Sequence, residues 1–367
     1  MPCEKCDSVR TYQLSGQYKL LIAPPRGHSS TKLLNHLADN NYDIHTDDNV
    51  ISLSFSAKES YQLGKIIDTC FSQIELEDSK ALLIPAVHAN AGVGILLNHT
   101  YTLRKLVGLL LGQWLVDLIE NGSLTTFCQP IVHKETLEPY GFECLLRGNI
   151  NNSIISPSDI FNAAKISDML FLLDKKARIT HIDNMNKVNI EKKIFINFNP
   201  TAIYDPSYCL TTTNHALKKT NLNPSQIVFE VIESDEVNDK KHLLSIMDFY
   251  RKQGYGVALD DLGSGYSSLN LLSDLRPDYV KLDLELVRNI HTNEFKQVIM
   301  ENICVMANKL GIKIICEGIE SEEEYDVIKR YDIDFYQGFL FARPMPYEQL
   351  TQYLEDGDRY HKDSDGY

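Results

Sequence analysis

The sequence predicts an α/β protein: a modified (β/α)8 barrel of the TIM type with an antiparallel first hairpin, preceded by a small α/β N-terminal domain. Three observations carry this. From Thr126 onward, short β-rich runs alternate with helical stretches, which implies parallel strands. So many units within about 240 residues suit a closed barrel better than an open sheet. The first two runs, Phe127–Val132 and Pro139–Leu146, are separated by too few residues for a helical crossover, so they pair as a hairpin.

The elements follow in order. Residues 1–108 form the first domain. Tyr18–Ala23 reads as a strand stopped by Pro24-Pro25, Thr31–Asp39 as a helix, Val50–Phe55 as an alternating strand, Lys58–Ile74 as an amphipathic helix and Lys80–Val87 as a third strand. Leu103–Ile119 is a strongly apolar helix stopped by Asn121-Gly122, and it either links two domains or opens the second. In the barrel, residues 109–358, further strands are expected at Ile194–Asn199, Ile227–Glu233, Gly256–Asp261, Tyr279–Asp283, Lys313–Glu317 and Phe335–Phe341. Helices are expected between them at Ser158–Asp183, Asn214–Thr220, Lys240–Gln253, Tyr266–Asp274, Thr292–Lys309 and Ser321–Arg330. Residues 359–367 are a polar tail.

Bulk properties narrow the function classes. A formal net charge of −14 argues against binding long nucleic acid, because that binding sets lysine and arginine against phosphates. An anionic substrate would need local positive charge, for which bound cations are the obvious source. The N-terminus lacks the basic-then-apolar pattern of a secretory signal, and the most apolar stretch, Leu106–Val116, is too short to span a bilayer. A cytoplasmic protein is expected. Its cysteines, Cys144, Cys304 and Cys316 among them, read as buried free thiols. The lone pair Cys3 and Cys6 cannot complete a tetrahedral zinc site, and the scattered histidines His28, His36, His45, His88 and His99 read as ordinary surface or core residues.

The functional signal is polar residues where a buried parallel strand should be apolar. Asn197, Glu230, Asp260, Asp261 and Glu317 stand at or near strand C-termini, with Gln337 a little earlier in its run. Glu143 lies on the second hairpin strand, and Lys281 on the strand from Tyr279. Any one acid could be a helix cap. The set, repeated on successive strands whose C-terminal ends meet at one mouth, points to an all-oxygen cation site suited to magnesium or manganese. The loop Leu262-Gly263-Ser264-Gly265-Tyr266-Ser267-Ser268 could cradle a phosphate at a helix N-terminus or be a plain turn.

The motifs together resemble the EAL-domain cyclic di-GMP phosphodiesterase family over about residues 110–355. They are Gln129-Pro130-Ile131-Val132, Glu143-Cys144-Leu145-Leu146-Arg147, Ile196-Asn197-Phe198, Phe229-Glu230-Val231-Ile232-Glu233-Ser234, Asp260-Asp261-Leu262-Gly263, Val280-Lys281-Leu282-Asp283, Cys316-Glu317-Gly318 and Gln337-Gly338-Phe339, in family order. The resemblance implies hydrolysis of cyclic di-GMP to linear pGpG with two Mg2+ or Mn2+ ions, in a homodimer. It gives Glu143, Asn197, Glu230, Asp260, Asp261 and Glu317 to the metals and catalytic roles to Lys281, Asp261, Glu317 and Gln337. Gln129 and Arg147 would hold the dinucleotide, and Glu233 would anchor the loop after Asp261. The chain departs from the family pattern at Cys144, Gly148, Ile232, Leu262 and Ser264, none of them a ligand; Gly148 leaves an altered pocket rim as the expectation. Alternatives are a non-catalytic receptor signalling through the N-terminal domain, a retired barrel, or another small phosphodiester as substrate.

Overall fold

The computed structural model describes residues 13–25, 29–88, 99–150, 153–203, 205–232, 240–263 and 268–356. Cys3, Cys6, His28, Glu233, residues 264–267 and the polar tail lie outside them. The chain divides into two units, Met1–Ser123 with Gly148–Leu173, and Leu124–Arg147 with Asp174–Tyr367.

In the first unit, strands β1 (Gln17–Ala23), β2 (Ile44–Asp47), β3 (Val50–Ser56), β4 (Lys80–Pro85) and β5 (Thr100–Thr102) form an antiparallel sheet in the order β2-β3-β1-β4-β5. Alternation on β1 buries Tyr18, Leu20 and Ile22, and the helices Ser29–Asp39 and Ser60–Cys70 bury Leu33, Leu37, Leu63 and Ile67. Two expected helices are each two helices. Lys58–Ile74 breaks at Phe71, and Ser72 restarts the chain by a capping box with Glu75. Leu103–Ile119 breaks at Gly112 into Leu103–Leu111 and Gln113–Glu120. The glycines there serve contact: a Cβ on Gly108 would stand 2.0 Å from the Ile166 carbonyl oxygen. Gly148 is also closely packed, its missing Cβ 3.0 Å from Leu118 and 3.2 Å from Ile160, so a larger side chain there requires those side chains to shift.

The second sheet holds β6 (Leu124–His133), β7 (Pro139–Ile150), β8 (Ser153–Ile155), β9 (Lys193–Asn197), β10 (Ile227–Ile232), β11 (Gly256–Leu262), β12 (Tyr279–Leu282), β13 (Lys313–Cys316), β14 (Phe335–Tyr336) and β15 (Met345–Pro346). Strands β7 and β9 to β14 run parallel in sequence order. β6 runs against β14 and also pairs with β7, closing an eight-stranded barrel. β8 and β15 are short additions beside β7 and β6.

The inward face is layered. One apolar layer contains Ile131, Phe195, Val228, Ala258, Tyr279, Ile315 and Phe335. Strand side chains repeat every two residues. The next inward positions are therefore Asn197, Glu230, Asp260, Lys281, Glu317 and Gln337, with Gln129 on β6, which runs the other way. Stacked layers fed by successive strands are the ordinary interior of such a barrel; here the upper layer is polar.

Two strand-and-helix expectations need correction. Ser158–Asp183 is two helices, Pro157–Ile166 and Leu170–Val188, interrupted where Asp168 takes a left-handed φ of 58°. Phe335–Phe341 is a strand only at Phe335–Tyr336. At Gly338 the backbone runs so close to Ile319 that a Cβ would meet its carbonyl oxygen at 2.1 Å, and the chain leaves the sheet there. Among the described residues, no helix is long and apolar enough to cross a membrane.

Candidate active site

Lys281 is the centre of the polar layer. Its side chain is 1% exposed, and Nζ lies 2.5 Å from Glu317 Oε1, 2.9 Å from Glu230 Oε1, 3.2 Å from Asp260 Oδ1 and 3.5 Å from Glu143 Oε2. Each acid comes from a different strand or the residue just past it, and register brings them together: Glu230 pairs with Asn197 and Ala258, and Lys281 with Ile315. Glu143 sits mid-strand on β7 opposite Phe195. Its two oxygens accept from Asn197 Nδ2 at 3.0 Å and Gln337 Nε2 at 2.7 Å. Gln337 Nε2 also donates to Gln129 Oε1 at 3.3 Å, and Gln129 donates to the Ala342 carbonyl. Gln337 is positioned by its own N–H, which donates to Cys316 O at 2.8 Å just before the Gly338 turn.

Electrostatics divides the acids. Burial raises all of them. On Glu143 the Lys281 charge and the amides of Gln337 and Asn197 overcome that, and its carboxyl lies below the usual range. Glu230 and Glu317 are pushed well above it by burial and by one another's neighbours, only partly offset by Lys281, and Asp260 is raised for the same reasons. Asp261, raised to about 7 by burial and then by Asp260 and Asp283, is, like Glu317, only partly buried. Lys281 is lowered by burial but driven well above its ordinary value by its four acids, so it is a fixed ammonium.

Four carboxyl groups about one ammonium are more acids than that single cation can hold ionised, which is what raises Glu230, Asp260 and Glu317. Oxygens of Glu143, Glu230 and Asp260 come within 4.8 Å of one another, as do those of Asp260, Asp261 and Glu317. These are two triads sharing Asp260. Asn197 Oδ1 and Glu230 Oε2 are buried without a hydrogen-bond partner, which is costly unless a cation faces them. An all-oxygen set with unsatisfied buried acceptors fits hard divalent cations.

The remaining expected residues fall at the edge. Arg147, four residues past Glu143 and half-buried, donates from Nη1 to Leu146 O at 2.8 Å and lies 5.3 Å from the Phe127 ring centre. Asp261 follows Asp260 in a left-handed conformation, φ 57°, which turns it out of the strand alternation. Glu233 lies outside the described residues.

Two further acids support the site, neither of which the sequence motifs assign a role. Asp283, two residues past Lys281, is buried beside Asp261 and caps the next turn through Glu285 N at 2.6 Å. Asp174, in a fully buried ion pair with Arg178, accepts from Asn199 N at 2.9 Å and so fixes the chain just beyond Asn197. The i,i+4 spacing of Asp174 and Arg178 in an apolar helix was the available signal.

Comparison with known proteins follows this geometry. The probable cyclic di-GMP phosphodiesterase PdeG of Escherichia coli is 30% identical over 244 residues, 64% of this chain and 47% of that protein. The chain thus spans about half the length of that curated relative. A standalone versatile EAL protein from Vibrio cholerae, solved with c-di-GMP bound, is 37% identical with a TM-score of 0.55, covering 61% of this chain and 93% of that one. Klebsiella pneumoniae BlrP1, solved as a manganese/cy-diGMP complex, matches 90% of this chain and 97% of its own at a TM-score of 0.57; at 20% identity the likeness is one of fold alone. The model of the EAL domain matches residues 113–344, well over half the sequence, so the chain belongs to the EAL domain family.

Proposed function

We propose that the barrel hydrolyses cyclic di-GMP to linear pGpG, lowering the level of that second messenger. The observation that carries this is the pair of carboxylate triads sharing Asp260 around a buried Lys281. The names of the relatives, phosphodiesterases and c-di-GMP complexes, support the substrate.

Glu143, Asn197, Glu230, Asp260, Asp261 and Glu317 would hold two Mg2+ or Mn2+ ions. Such ions supply positive charge against phosphoryl oxygens and lower the pKa of water. The chain's own groups do the rest. Lys281, held among its four acids, is assigned to assisting the attacking water or to offsetting charge that builds on the phosphoryl oxygens. Asp261 and Glu317 are the carboxylates assigned to the proton of the attacking water. Gln337 locks Glu143 and Gln129 in place and presents an amide to water or ligand. Gln129 and Arg147 are assigned to the dinucleotide, the guanidinium suiting a phosphate by its two parallel donors. Glu233 is assigned to anchoring the loop after Asp261.

Three further parts belong to this reading. The helix Glu294–Leu310 exposes Phe295, Val298, Ile299 and Val305 in one stripe, which supports a homodimer; Phe295→Glu should shift the sedimentation coefficient to that of a monomer. The described buried free cysteines suit a cytoplasmic, reducing setting. Regulation by the N-terminal unit would be lost as an idea if a chain without residues 1–100 turned over at the full chain's rate.

The test is purified chain with cyclic di-GMP and Mg2+ or Mn2+, products followed by chromatography, beside Glu143→Ala. Linear dinucleotide that disappears in the variant is the expected result. Tight binding without turnover would make the protein a receptor instead.

A further inference from the structure

At the other end of the barrel from the acids, the first residues of β9, β11, β12 and β13 border an open cavity of about 890 Å³. That volume is in the range of small-molecule sites. Its charge is opposite to the mouth's. Lys193, Arg276 and Lys313 line it, and Asp278 is the acid among its lining residues. The Asp278 carboxylate is already engaged, accepting from Val257 N at 2.9 Å. Lys313 Nζ sits 5.7 Å from the ring centres of both Tyr140 and Tyr279 and 5.9 Å from that of Phe335, so an ammonium is held over an aromatic floor. Lys193 Nζ donates to Ser225 O at 2.6 Å. Burial and then the charge of Lys313 push its ammonium below the ordinary range, so two cations repel one another across this space. In a chain of net charge −14, a concave surface with three cations and one satisfied acid is a local exception. Tyr255 and Leu310 supply apolar wall.

We propose that this cavity binds a small organic anion with a flat apolar body, its phosphate or carboxylate between Lys193, Arg276 and Lys313 and its ring against Tyr255 and Leu310. An anion there relieves the lysine repulsion, and the planar body displaces water from the aromatic rim. The site shares strands with the acid cluster but none of its residues.

The probe is adenosine 5′-monophosphate, titrated calorimetrically into the full chain with EDTA present, with adenosine and inorganic phosphate beside it. AMP should bind, and adenosine and phosphate each at least tenfold more weakly. Lys313→Gln and Lys193→Gln should each weaken AMP at least tenfold, and Glu143→Gln should leave it unchanged. Should Lys193→Gln fail to fold, Arg276→Gln, at an exposed position, takes its place, with thermal melting as the control. No AMP binding at millimolar concentration, binding indifferent to the lysines, or binding lost in Glu143→Gln would each overturn the proposal. The last would place AMP among the acids.

Discussion

Two layers of one barrel, separated by two residues on every strand, differ in almost everything. The lower layer is Phe195, Val228, Ala258, Tyr279, Ile315 and Phe335, fully apolar apart from one hydroxyl. The upper is Asn197, Glu230, Asp260, Lys281, Glu317 and Gln337. On β12, only four residues long, the change falls between Tyr279 and Lys281. The lower layer gains by burial alone; the upper gathers like charges that burial penalises. The same scaffold therefore carries one layer that stabilises the fold and one that costs stability, which is how an active site differs from a core.

Substitutions can break this contrast in opposite directions. Glu230→Gln removes the one fully buried acid of the four around Lys281 while keeping its shape. Turnover should fall by about two to four orders of magnitude, and the metal-free melting temperature should hold or rise. A fall in both would mean the acids support the fold. Phe195→Ala, in the layer beneath, should do the reverse. It should cost about 3–5 kcal/mol in urea unfolding, while the protein that remains folded at low temperature turns over within about twofold of the parent.

A third change sharpens the comparison by pH. His181 is buried, hydrogen-bonded to Thr126 at 2.8 Å, and its pKa is lowered to about 3 by burial, against a slight opposing pull from Glu143. The unfolded chain takes up that proton near pH 6.5, the folded one only near 3. Stability from this group is complete above about pH 7 and is lost as pH falls through that window, about 2 kcal/mol by pH 5. The difference between urea midpoints at pH 7.5 and 5 should shrink in His181→Gln; an unchanged difference would remove the histidine from the account. The smallest effect is expected on the floor. Tyr140→Phe deletes one partner of the 2.6 Å Tyr140–Tyr279 hydroxyl pair, worth about 1 kcal/mol and no change in kcat.

How much of this could be read from the sequence follows from which forces are local. The alternation of apolar and polar residues on short strands is local, so the barrel, its hairpin start and the inward acids were legible. Breaks set by contact were not. The interruption after Ile166 and the close approach of Gly108 to Ile166 arise where two segments of the first unit meet, and neither is a propensity. The shortness of β14 comes from Gly338 against Ile319, a pairing across nineteen positions. Asp174 and Arg178 looked like ordinary helical charges, because burial of both is a tertiary fact.

Lys281 also bears on how the molecule comes to exist. Many cation sites of clustered acids cannot assemble until the ion arrives, since their charges hold the segments apart. Here a strand brings a counterion of its own into the middle of the cluster. The barrel can close around that ammonium during synthesis, so a newly made chain need not wait for cations before it folds. On the proposed function, loading with cations is then a later, reversible event that adds to the stability of a chain already folded.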